Sequence, residues 1–282
     1  MMKVIKEETI QFSNQKEYLS AKTKLGHDQV YATINWTSDD NKHEITYETE
    51  EITPTIADDK RIKVFLLFKN PHPDSVASGL FFSERYSKSF WNRFFEVECN
   101  KRMLPLLENS TWIDDVAEKL LSGKYDSPFL YYFRCLYPFP TKQFSDLTCL
   151  FCRAPLTYRN EFIDNSLEEL LIYIEKHDIR HIIVFFKNGM ELLTGKPFPS
   201  SRNVVSAAKK GIDQALRDGD ESLFWQVNSD FRRTIDRVIT VYLNMNTRDK
   251  NHGTHLPKRY FTYNLEFILK DILKNSPDQN HQ

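Results

Sequence analysis

The run Ile62-Lys63-Val64-Phe65-Leu66-Leu67-Phe68 constrains this chain more than any other segment. Apart from Lys63 it is continuously apolar, and it is rich in branched and aromatic residues. A strand of that kind needs cover on both faces, which is the signature of a buried parallel strand and not of a helix. Similar runs recur at Leu147–Cys152, at Arg180–Phe186 and at Val238–Leu243. Helix-like stretches lie between and after them: 89–107, 112–121, 167–177, 203–236 (broken near Gly219) and 263–273. Asn165 or Ser166 would cap the third of these, ahead of glutamates in its first turn. A short helix is expected after Asn188-Gly189, starting near Met190.

Strands alternating with helices predict an α/β fold. The expected architecture is a three-layer α/β/α sandwich around a central four-stranded parallel sheet. An N-terminal extension, residues 1–60, adds a β-hairpin formed by 30–34 and 44–47 around the turn Ser38-Asp39-Asp40-Asn41. Residues 1–27 read as a polar arm or short helix, 50–60 and 70–88 as loops, 61–275 as the main domain, and 276–282 as a disordered tail. Ligands of such sheets bind beyond the carboxyl ends of the strands, so the loops after Phe68, Phe151, Phe186 and Leu243 are the ones to inspect.

Composition narrows the function. With a net charge of -1 and a pI of about 6.7, the chain is not uniformly basic, so any nucleic-acid surface must be a local patch. Cys149 and Cys152 have CxxC spacing. No second pair and no nearby histidine pair accompany them, and they read as core thiols, with no metal and no cofactor expected. Charged residues follow Met1-Met2 directly, so no signal peptide is expected. No apolar run approaches the ~20 residues of a membrane span. The expected setting is cytoplasmic.

The loop after the first strand carries the chemistry. Asn70 is the first uncharged polar side chain beyond it, and Pro71 holds Asn70 extended. Pro73 stiffens the turn, Gly79 permits close backbone approach, and Phe81 and Phe82 follow as an aromatic platform. A rigid amide beside an aromatic face suits a flat ligand. The same residues would equally make a proline-stiffened connection with core phenylalanines.

At this point the sequence resembles the uracil-DNA glycosylase superfamily. Phe65-Leu66-Leu67-Phe68-Lys69-Asn70-Pro71 is similar to the catalytic strand and loop of its mismatch-specific thymine and uracil branch. Gly79-Leu80-Phe81-Phe82-Ser83 resembles the base-stacking element, and Ser89-Phe90-Trp91-Asn92-Arg93-Phe94-Phe95 the helix start of that branch. Asn246-Thr247-Arg248-Asp249-Lys250-Asn251 resembles the final, DNA-entering motif. The resemblance implies a monofunctional, monomeric enzyme that extrudes a base from double-stranded DNA and hydrolyses its N-glycosidic bond. Asn70 would orient the water and Phe82 would stack on the base. His72 would protonate the leaving base or contact phosphate. Asp74, the loop's carboxylate, is the alternative water-activating group. Asn246, Arg248, Lys250, His252, His255 and Lys258 would hold DNA, in a salt-sensitive way.

One departure bears on the substrate. Uracil-reading members place an asparagine near the end of the second strand, where this chain has Cys149. Arg153 and Tyr158 would supply other base contacts. Plain uracil is therefore not the expected substrate; a bulkier or modified base is, including hypermodified cytosines of phage DNA. A non-catalytic reader of DNA or modified bases on the same fold is the alternative. An unrelated nucleotide-processing enzyme is disfavoured, because no glycine-rich phosphate loop follows any strand.

Overall fold

The computed structural model describes residues 4–25, 34–39, 42–56, 59–142, 156–195, 232–235, 238–242 and 260–275. Its strands are β1 (Ile5–Gln11), β2 (Ile34–Ser38), β3 (His43–Ile52), β4 (Ile62–Phe68), β5 (Phe129–Cys135), β6 (His181–Val184), β7 (Arg232–Ile235) and β8 (Val238–Tyr242). The helices are α1 (Gln15–Leu25), α2 (Pro73–Ser78), α3 (Ser89–Phe95), α4 (Trp112–Ser122), α5 (Leu156–Lys176), α6 (Lys187–Thr194) and α7 (Tyr260–Asn275), with 3-10 segments at Glu84–Tyr86 and Glu98–Glu108.

The fold is α/β, but the sheet is mixed and larger than the four-stranded parallel sheet expected. Its order is β1-β3-β5-β4-β6-β8-β7, with β2 also on β3. The pairings β5/β4, β4/β6 and β6/β8 are parallel, while β3/β5 and β7/β8 are antiparallel. The strand beside β4 is Phe129–Cys135, which the sequence reading passed over; Leu147–Cys152 lies outside the described residues. Residues 232–235, read as the end of a helix, form an edge strand. The polar arm contains β1, which pairs with β3 along its length. The expected hairpin is present as β2/β3, and β3 continues to Ile52. The supposed loop 70–88 holds α2 and a 3-10 turn.

Alternation along the strands builds two cores. Val64, Leu66 and Phe68 of β4 join Tyr131 and Phe133 of β5 under α3, α4 and α7. Phe65 and Leu67 face the other way, toward Leu170, Tyr173 and Ile174 of α5, Met190 of α6, and Ile45 and Tyr47 of β3. Both faces of β4 are thus dry, which is why its sequence has no polar alternation. Between β5 and the helix after it, Arg134 pairs with Glu51 on β3 and with Glu169 on α5, and its guanidinium lies over the Tyr173 ring.

The connection leaving β4 covers one face of the sheet, through α3 and α4, while α6 after β6 covers the other. Adjacent parallel strands whose connections depart to opposite faces leave a crevice between their carboxyl ends. Asn70 follows the carboxyl end of β4, one of those strands.

One glycine is fixed by geometry. Gly123 caps α4 at φ 67°, and a Cβ there would sit 2.8 Å from Ile56 Cγ2. Gly123→Ala combines left-handed strain with that clash, and is expected to cost about 1–3 kcal/mol. It should lower the urea midpoint at unchanged slope.

Candidate functional site

Segment 136–141, beyond β5, zips the Asn70 loop in place. Leu136 and Tyr137 donate backbone N–H groups to Phe68 and Lys69 carbonyls, and Thr141 N–H donates to the Pro71 carbonyl at 3.1 Å. Asn70 answers with its side chain: Nδ2 donates to the Thr141 carbonyl (3.2 Å), Thr141 Oγ1 (2.9 Å) and the Pro71 carbonyl (3.2 Å). Two of those acceptors are carbonyls, so the nitrogen and not the oxygen must face them. Among the described residues no donor meets Oδ1. The carboxamide is therefore held by its nitrogen with its acceptor oxygen left over, which suits orienting a water.

His72 is the N-cap of α2. Its Nδ1 accepts from the Asp74 backbone N–H at 3.2 Å, and Pro73 follows at the first helical position. With Nδ1 accepting, Nε2 is the ring nitrogen left to donate an N–H. Gly79 ends α2 at φ 89°. The chain then turns through Phe82 at φ 55°, a conformation costly for an aromatic residue and enriched at ligand sites. Ser83 Oγ donates to the Leu80 carbonyl, and the buried Trp91 donates Nε1–H to the Phe81 carbonyl at 2.7 Å, so the turn is fixed from both sides.

These elements surround a pocket of about 170 Å³. Asn70, His72, Phe68, Phe81 and Phe82 contribute to its wall. A cavity of ~150 Å³ holds one benzene ring, so this space admits one six-membered ring. Phe81 is core, 1% exposed, whereas Phe82 is half-buried, packed against Phe90 at 4.4 Å between centroids. A second pocket of about 200 Å³, lined in part by Ser89 and Arg93, shares Phe82 and Glu84 with the first. Asp74 is not part of the wall: its carboxyl stands 4.0 Å from His72 Nδ1, and its carbonyl accepts from Ser78 Oγ.

Two carboxylates that sequence reasoning missed complete the wall: Glu50 from the end of β3 and Glu84 from the 3-10 turn. Glu50 is 2% exposed, and among the described residues its Oε1 has no hydrogen-bond partner. Burial, followed by the charge of Glu84, pushes the Glu50 carboxyl well above the usual carboxylate range. Both causes favour its protonated form. Cys135 also faces the pocket, with its thiol pushed up by burial.

Of the other expected site residues, Cys149, Arg153, Asn246, Arg248, Lys250, His252, His255 and Lys258 lie outside the described residues. Tyr158 falls within α5, in a turn whose side chains are not described. Among the described residues no cluster of potential metal ligands occurs, and no helix is long and apolar enough to cross a membrane. No protein-family model matches the chain, and no curated protein matches it.

Proposed function

We propose that this chain is a DNA N-glycosylase, which accepts an extruded base in the β4 pocket and hydrolyses its bond to the sugar. The observation that carries the reading is the Asn70 carboxamide, tethered through Nδ2 beside a ring-sized pocket with a half-buried phenylalanine. N-glycosidic cleavage develops positive charge on the sugar and needs a positioned water more than a strong base. A carboxamide oxygen can orient that water. Phe82 would stack on the base, recovering about 1–3 kcal/mol of the unstacking cost. The His72 Nε2–H would donate to an acceptor on the base or to a flanking phosphate. The polar stretch 246–258 would contact the DNA backbone and make binding salt-dependent.

The substrate we favour is a modified cytosine rather than plain uracil, because β5, the strand that follows and pairs with β4, ends at Cys135, which lines the pocket and offers no carboxamide to a uracil edge. A large substituent would have to project out of a pocket of about 170 Å³. One observation favours a second reading, a modified-base-binding protein without chemistry: position 70 is an amide and not a carboxylate.

The test is incubation with duplexes carrying uracil, cytosine, 5-hydroxymethylcytosine or its glucosylated form, followed by hot alkali. Strand scission at a cytosine-type position is the expected result. Retention of these duplexes without scission would establish the reader. Efficient release of uracil alone would overturn the assigned base.

A further inference from the structure

We propose that Glu50 is the general acid that protonates the departing base, and that this base belongs to the cytosine class. The inference rests on the glycosylase reading and deepens it. Glu50 is nine-tenths buried and more, lines the pocket that holds Asn70 and Phe82, and keeps Oε1 without a partner among the described residues. An apolar residue at this point of β3 would avoid the desolvation that a carboxyl suffers there. A carboxyl kept in so unfavourable a place, with surroundings that favour its protonated form, fits the task of a proton donor.

The groups around Glu50 define what it meets. Glu84 faces it from the 3-10 turn, His72 from the start of α2 and Cys135 from β5, while Lys142 stands at the exposed rim. The nearest arginine on β5, Arg134, is engaged with Glu51 and Glu169, the neighbours on the opposite face. A base leaving as an anion would be repelled by the Glu84 carboxylate, so the pocket favours departure of a neutral base. The same carboxylate would stabilise the sugar cation.

The step balances as follows. The C1′–N1 bond breaks with its electron pair going to N1, and the Glu50 proton passes to ring N3. Water adds to C1′, and one of its protons restores Glu50, directly or through solvent. One water enters, and a neutral base and an abasic sugar leave. In cytosine and its 5-substituted forms N3 has a free lone pair; in uracil and thymine N3 already carries a proton. A uracil anion is also spread over two carbonyls and has less need of an acid.

Single-turnover cleavage of duplexes bearing mismatched cytosine, 5-hydroxymethylcytosine or uracil tests this with wild type and Glu50→Gln. Glutamine keeps the shape and a donor but cannot release a proton. Cleavage at cytosine-type bases is expected to fall about 10²–10⁴-fold, with binding to a cleavage-resistant 2′-fluoro duplex retained. The fall in wild-type rate at high pH should vanish from the Glu50→Gln profile. Formate should partly restore Glu50→Ala. The fold is checked through the melting temperature. A raised native carboxyl binds its proton more tightly than the unfolded chain does, so wild-type stability falls as pH rises from the ordinary glutamate range through the Glu50 value; Glu50→Gln should lack that fall. Wild-type rates in folded Glu50→Gln would overturn the role of Glu50. Faster release of uracil than of any cytosine-type base by wild type would overturn the base class. No cleavage of any duplex by wild type would overturn the glycosylase reading and this inference with it.

Discussion

Trp91→Ala is expected to lower the free energy of unfolding by about 3–5 kcal/mol and to take base cleavage with it. Trp91 is 0% exposed, with ring centroids 5.1 Å from Phe90, 5.6 Å from Phe133 and 5.6 Å from Phe95. Truncation leaves a void among rings that belong to α3 and β5 and cannot move together. It also strands the Phe81 carbonyl that Nε1 now satisfies. That carbonyl belongs to the turn that holds Phe82 at positive φ. Trp91→Phe separates the two effects: most of the packing remains, and only the hydrogen bond is lost, for about 1–3 kcal/mol. Denaturant midpoints measure the first effect. Activity well below the folded fraction in Trp91→Phe would show that the turn needs its tether; full activity would show that it does not.

Asn70→Ala is expected to reduce cleavage by at least ~10²-fold, the scale set by misplacing a reacting group by about an ångström. Asn70→Asp is the more informative change. From chemistry alone an aspartate in this position should be a better base and a faster enzyme. The local structure argues the reverse. Nδ2 now donates to two backbone carbonyls, and a carboxylate oxygen there would meet acceptors with an acceptor. Only Thr141 Oγ1 can turn to donate. Asn70→Asp is therefore expected to rotate out of place and cleave no faster than Asn70→Ala. A rate above wild type in single-turnover assays would show that the loop re-forms around the acid. Thr141→Val, which removes one of the three acceptors, should give a smaller loss in the same assay.

The sequence exposed the centre of the sheet and concealed its margins. Strands β4, β6 and β8 were readable because each is a predominantly apolar run between polar ends, broken only by Lys63 in β4 and Thr240 in β8. β5 is equally apolar from Phe129 to Phe133 and was passed over; the charge near its end, Arg134, is made tolerable by Glu51 and Glu169, which are remote in sequence. α2 was hidden by an unusual cap, a histidine imidazole where Ser, Thr, Asp or Asn is the usual signal. Within the candidate site, Asn70, His72 and Phe82 could be picked out because they follow a strand directly. Glu50 could not: it lies in Glu48-Thr49-Glu50-Glu51, which reads as a solvated stretch, and its cover comes from pairing with β1 and β5 and from the loop after β4, all remote in sequence. Thr141 gave no signal, since its role depends on backbone geometry.

β3 has a consequence for the order in which the protein assembles. Over most of its length it pairs with its neighbours in sequence, β1 and β2; only Glu51 and Ile52 reach Arg134 and Phe133. The hairpin closes a short loop and can form within microseconds, whereas the contact with β5 must wait for the β4–α4 segment to fold and close a much longer one. The expected order, measurable by φ-values across β3 and β5, is that the pocket and its carboxyl meet late. A chain caught before that meeting would already present Asn70 and Phe82 to solvent, with the acid still absent.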